Sequence, residues 1–261
     1  MDLEPAEKVN TIEKNSQLAR RILEKDEGGP HLLCNWTNCV FIHYEVDAES
    51  LQPEIPYTLH LYNNKAYVSL VAFTLEKFRF SKWEQVTQWF TKPIATHQYF
   101  NVRSYVQHRN ENGIYFIKEW ISNFFCAFIG SRMYELPCHR GSLNYQYDHS
   151  SGQLTGSIIP GNIFGQYQYE MRIPKEARFG TIKDPFDEFL LERYVAFVQG
   201  KRKGRYFRIW HKPWLQTRID INRLQDDLMG KIGPWGNRIK CIGAHYSPGV
   251  FDVWMGRPQR I

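Results

Sequence analysis

From residue 36 onward, apolar positions come in short runs or strict alternation, punctuated by Gly, Pro, Asn and Asp. Such runs, bounded in this way, are the mark of an all-β or β-dominated domain. The pattern predicts strands at 66–73 (AYVSLVAF), 99–107, 113–120, 143–147, 153–159, 166–173, 194–198 and 205–210. The segments 109–113 (RNENG) and 148–152 (DHSSG) offer residues that tolerate positive φ, and 199–204 makes a longer Lys-rich connection, so sequence neighbours should pair antiparallel. Helices are predicted at 121–133, which is apolar nearly all round and should lie against the sheet, and in shorter amphipathic form at 185–191 and 219–228. So many strands with so few helices hide their edges most simply in a closed or nearly closed barrel, with a sandwich as the alternative.

The first thirty residues read differently. Over 5–25, Ile12, Leu18, Ile22 and Leu23 fall on roughly one helical face, and Gly28-Gly29-Pro30 ends the pattern. This gives a helical extension over 1–29 and a single domain over 30–261. With 261 residues and 43% hydrophobic content, the chain needs neither disulfides nor metals to fold. An aromatic share of 15% favours strands and ring-lined cavities.

Charge and cysteine content narrow the function classes. The N-terminal segment is charged throughout and lacks the apolar core of a secretory signal or membrane span, so a cytoplasmic location is expected and Asn35-Trp36-Thr37 is an idle glycosylation sequon. Cys34, Cys39, Cys126, Cys138 and Cys241 are odd in number and form no CxxC pair, which signals neither a disulfide framework nor zinc and fits a reducing compartment. The net charge of +6 raises the question of an acidic partner, but cations are scattered among 27 acidic residues. The one dense run, Lys201-Arg202-Lys203-Gly204-Arg205, sits at an expected hairpin and reads as a solvated turn. Nucleic-acid binding through a basic surface therefore ranks last; neither nucleic acid nor membrane is the expected partner, and a homo-oligomer is compatible with the sequence.

Four segments together resemble the YqjF-like family of the acetoacetate decarboxylase-like superfamily. They are 36–73, with Phe41, His43-Tyr44, Leu51 and Ile55-Pro56 leading into AYVSLVAF; 101–106 (NVRSYV) followed by Gly113-Ile114-Tyr115-Phe116; 188–194 (EFLLERY); and 245–250 (HYSPGV). The resemblance implies a bacterial protein of β-rich α+β class, a cone-like antiparallel β-barrel with a few flanking helices and an interior cavity, and it implies no activity or cofactor. The decarboxylases of that superfamily work through a lysine that forms a Schiff base with a keto acid. Residues 130–140 (GSRMYELPCHR) look like their pre-lysine stretch, with Cys138 where the lysine should stand and His139 in place of the adjoining one. That departure removes the nucleophilic amine.

The chemistry left open is that of a cavity binding a small organic acid or carbonyl compound. Alternation along 99–107 puts Asn101, Arg103, Tyr105 and Gln107 on one face, so Arg103 becomes the candidate to grip a carboxylate, against an outward or ion-paired arginine. Cys138 and His139 are candidate ligand contacts; as strand neighbours they point to opposite faces, which argues against a nucleophile–base pair. A lyase- or hydratase-like enzyme is the alternative, with Lys118 or Glu192 transferring protons. Alternation places Lys118 with Ile114, Phe116 and Trp120 in an apolar setting and points Glu119 the other way, although a lysine near a strand end also snorkels to water. Glu192 and Tyr194 are read as an acid and a phenolic donor, with a helix-end pair Glu192-Arg193 as the plain alternative. His245 combines a titratable ring with a turn, and His43 and His211 read as structural.

Overall fold

The computed structural model describes residues 5–26, 28–81, 95–182, 184–200 and 203–261, so Lys201 and Arg202 of the basic run lie outside the described residues. Its central strand is β1 (Leu32–Val46), which pairs antiparallel with β2 (Ala66–Phe80) on one side and with the last long strand on the other. β2 pairs with β3 (His97–His108), and β3 with β4 (Glu111–Ile121). The β3–β4 hairpin turns at Arg109 and Asn110, whose φ values of 48° and 66° give the expected tight turn.

After β4 come a short helix α2 (Phe124–Ile129) and three strands, β5 (Cys138–Asp148), β6 (Gln153–Pro160) and β7 (Tyr167–Arg172). Helix α3 (Pro185–Leu191) is capped by Asp184, whose carboxylate accepts from Phe186 N at 2.8 Å, and it has Pro at its first turn. Strands β8 (Val195–Gln199), β9 (Gly204–Trp210), β10 (Thr217–Asp226) and β11 (Ile239–Met255) complete the sheet.

The pairings close on themselves: from β11 through β1, β2, β3, β4, β8 and β9, each strand bonds the next, and β9 returns to β11 through Ile209 and Trp210. Strands β5, β6, β7 and β10 form a second course that leaves β4 and rejoins β11. β4 meets both β5 and β8 in parallel; the other long pairings are antiparallel.

This arrangement explains why AYVSLVAF is apolar without a break. Alternate residues Tyr67, Val71 and Phe73 pack inside the ring, while Val68, Leu70 and Ala72 join a second core with Leu154, Ile158, Tyr167 and Met171 of the outer course. Helix α1 (Pro5–Asp26) packs on this body: Ile12, Ala19 and Leu23 are buried, Ser16 donates to the His211 carbonyl at 2.8 Å, and the Arg20 guanidinium lies over Trp210 and Trp254.

Two predicted helices need correction. Residues 219–228 are not helical; Thr217–Asp226 is a strand, with Thr217 and Ile219 buried and Arg218 and Asp220 exposed, a period of two enforced by pairing with β7 and β11. Within 121–133, Ile121 still belongs to β4 and helix starts only at Phe124, where Asn123 caps it. From there the helical run continues through a π-helical turn over Gly130–Tyr134, close to the expected end; it turns Cys126, Ala127 and Tyr134 fully inward, while Phe124, Phe125 and Phe128 are exposed instead of buried.

Candidate functional site

One irregularity in β4 decides what faces the interior. Val102 pairs with Lys118 but Arg103 pairs with Phe116, so Ile117 is an extra residue, a β-bulge. Before the bulge Ile114 and Phe116 point inward; after it the inward position passes to Glu119, while Lys118 and Trp120 turn outward. The alternation expected from the sequence is thereby corrected: Lys118 does not share a face with Ile114 and Phe116, and Glu119 does.

The interior holds a cavity walled by Cys39 and Phe41 of β1, Val71 and Phe73 of β2, Asn101 and Arg103 of β3, Glu119 of β4 and Phe207 of β9, with Arg193, His211 and Trp214 closing it from the connecting segments. It leaves about 70 Å³ for the centres of water-sized molecules, room for roughly five waters or one small metabolite. No lysine lines it among the described residues.

Its polar groups are incompletely paired. Arg103 donates Nη2 to the Leu190 carbonyl at 3.2 Å and has no partner for Nε; Arg193 donates Nε to the Phe189 carbonyl at 2.9 Å and has none for Nη2. Neither guanidinium has a carboxylate within ion-pair distance among the described residues. Burial pushes Arg193 down to about 10 and lowers Arg103 as well, the cost of holding two cations in one dry wall. Asn101 Oδ1, Glu119 Oε1 and Trp214 Nε1 are likewise buried and unpaired.

Behind the cavity wall, the parallel register sets Glu119 opposite Cys138. The Cys138 thiol donates to Glu119 Oε2 at 3.1 Å, and the Tyr99 hydroxyl lies 3.7 Å from the sulfur. Burial raises the Glu119 carboxyl to about 7, against the lowering effect of these hydrogen bonds, and burial together with Glu119 holds the thiol well above its usual range. Cys138 is therefore a protonated donor to Glu119. His139 points the other way, half-buried and outside the cavity, as neighbours on a strand must.

The remaining candidates fall in two places. Glu192 and Tyr194 border a surface cleft beside Ile12 and Asn15 of α1, not the interior; Glu192 accepts from the Tyr194 hydroxyl at 2.6 Å and from Trp214 N at 2.9 Å, and burial raises it to about 7. Tyr105 and His245 belong to a buried hydrogen-bonded chain with Ser69 and His43. Asn101, Arg103 and Tyr105 do share the inward face that alternation assigned them.

Sequence reasoning missed Arg193 and Glu119. The first looked like a helix-end ion pair with Glu192, but the chain leaves α3 at Glu192 in extended conformation, which sends successive side chains to opposite sides. No residue type around position 117 marks the bulge that turned Glu119 inward.

Comparisons with known proteins agree with this architecture. The uncharacterized protein YqjF of Bacillus subtilis (strain 168) is 27% identical over 209 residues, covering 73% of this chain and 78% of its own. Among solved structures, acetoacetate decarboxylase from Legionella pneumophila subsp. pneumophila str. Philadelphia 1 superposes with a TM-score of 0.62 at 12% identity, over 89% of this chain and 87% of the other. The enduracididine biosynthesis enzyme MppR complexed with pyruvate gives 0.58 at 9% identity, over 88% and 90%. At such identities the likeness is one of fold. The family model DUF2071, described as an uncharacterized conserved protein, matches residues 34–250, and the chain belongs to that family.

Proposed function

We propose that the interior cavity binds a small organic acid whose carboxylate is held by Arg103 and Arg193. The observation that carries this reading is that buried Arg103 and half-buried Arg193 line one cavity, each with a buried, unpaired N–H and neither with a carboxylate partner among the described residues. An uncompensated buried cation is costly, and an anion supplied from outside offsets that cost through charge-assisted hydrogen bonds. Trp214 Nε1 adds a third donor, while Glu119 and Asn101 provide polar contacts for a carbonyl or hydroxyl group. The volume fits a molecule about the size of pyruvate, with which the fold neighbour MppR is complexed.

A second reading, proton transfer on the bound acid, is favoured by Glu119. A carboxyl raised to about 7 with a free oxygen facing the cavity can give or take a proton near neutral pH. It replaces Lys118 as the candidate, since Lys118 lies outside the cavity.

A thermal-shift screen of small carboxylates against their amides tests the first reading. Acids of pyruvate size should raise the melting temperature by several degrees at saturating concentration, and amides should not. Silence across all acids, or equal shifts with amides, overturns it.

A further inference from the structure

The cavity does not end at its polar wall. Leu75, Tyr99, Leu136 and Met255 line it and also line a second chamber. Phe78 of β2 and Ile121 of β4 wall that chamber from the sheet, and Cys126 and Ile129 of α2 close its other side.

Local chain geometry makes this second space. Leu33 pairs with Arg79 but Asn35 with Glu76, so β2 carries an extra residue there, and Lys77 takes φ 52°. Leu75 and Phe78, three positions apart, are thereby both buried in the inner core. On α2, the Asn123 side chain accepts from Phe125 N and Cys126 N at 2.9 and 3.2 Å, and the helix it starts brings Cys126 and Ile129, three apart on one face, to the chamber.

The two chambers differ in the state of their polar groups. Five residues of the first, Asn101, Arg103, Glu119, Arg193 and Trp214, carry a buried polar atom without a partner. Among the described residues the second has none, and no Asp, Glu, Lys or Arg lines it. Its polar groups are turned on one another or on the backbone. His97 Nδ1 meets Cys126 Sγ at 3.4 Å, the Tyr134 hydroxyl donates to the Gly256 carbonyl at 3.0 Å, and the Tyr99 hydroxyl lies 3.7 Å from Cys138 Sγ. A chamber with nothing to offer water stays dry, and its lining atoms forgo dispersion contacts on the empty side. Hydrocarbon restores those contacts, whereas a polar group would lose its hydration there without compensation. The space, about 50 Å³ for the centres of water-sized molecules, accommodates roughly four carbon atoms.

We propose that the bound acid carries an alkyl tail, seated in this second chamber while Arg103 and Arg193 hold its carboxylate in the first. This rests on the acid-binding reading and extends it to a ligand class, straight-chain acids of about six carbons. Such a ligand is amphipathic, and its two ends match two environments: charge-assisted donors at one, dry apolar walls at the other. Met255 is half-buried and shared by both chambers, and its unbranched side chain turns aside for the tail as the adaptable part of the seam. Pyruvate occupies the first chamber alone.

Titration calorimetry of the full protein with pyruvate and its straight-chain homologues, lengthened one methylene at a time to 2-oxooctanoate, tests this. Affinity should rise about fourfold per added methylene as far as 2-oxohexanoate and then level off. Ile129→Phe should fill the chamber and flatten the series, so that no homologue binds more tightly than pyruvate. Phe78→Leu, which enlarges the chamber, should carry the gain on to 2-oxoheptanoate. If pyruvate binds but the series shows no gain, or keeps its slope and end point in both variants, the tail chamber is overturned and the acid-binding reading stands. Failure of pyruvate and of every homologue to bind overturns both.

Discussion

The Cys138 thiol donates its proton to Glu119 Oε2 at 3.1 Å, across two parallel strands that bring residues 19 positions apart into register. The thiol's partner is a carboxyl that burial holds near neutrality, so the pair supplies a hydrogen-bond donor and a proton acceptor.

The pH dependence of stability should report that carboxyl. A buried carboxyl raised to about 7 binds its proton more tightly folded than unfolded, so its contribution is complete below about pH 4 and is lost as pH rises through 7. The amide of Glu119→Gln imitates the protonated form. Compared with the unaltered protein, that variant should gain on the order of 3 kcal/mol in urea-unfolding stability between pH 5 and pH 8. A difference that is flat with pH would show that Glu119 is solvated or ion-paired.

Cys138 should be inert as a nucleophile. The thiolate is the reactive form, and burial beside Glu119 suppresses it. Alkylation by iodoacetamide at pH 8, followed by peptide mass spectrometry, should label Cys138 about 100-fold more slowly in the native protein than in urea. Comparable rates would mean an exposed, activated thiol.

Lys118 should be dispensable for anything that happens inside. With Lys118→Ala, affinity for a small acid should stay within about 0.5 kcal/mol of the parent, since the bulge carries this side chain to the outer layer. Borohydride reduction in the presence of pyruvate should trap no adduct in either protein. A trapped lysine would restore imine chemistry and overturn the assignment of the interior.

Helix α1 should be part of the folded unit. Leu23 is fully buried near Ala19 and Trp210, so Leu23→Ala should lower stability by about 2–5 kcal/mol in chemical denaturation. An unchanged midpoint would mean that the helix docks too weakly to matter.

These residues also show what the sequence makes legible. Strict alternation along 99–107 put Asn101, Arg103 and Tyr105 on one shared face, which the structure turns inward, because β3 pairs with β2 without interruption. The apolar run AYVSLVAF marked a strand, and the amphipathic stretch 185–191 marked α3. The polar segment around Thr217–Asp226 misled because its strand is dictated by neighbours far away in sequence. Glu119 was hidden by a single inserted residue, which inverts every later side chain on a strand. The contact between His43 and His245 joins positions 202 residues apart and leaves no local trace.

Whether Arg103 and Arg193 hold a carboxylate is decided by titration calorimetry of the protein with pyruvate and with its amide, pyruvamide. Pyruvate should bind saturably with one site per chain, pyruvamide should not bind, and Arg103→Met should weaken pyruvate by about 100-fold or more. Equal heats from acid and amide, or unchanged pyruvate affinity in Arg103→Met, would contradict it.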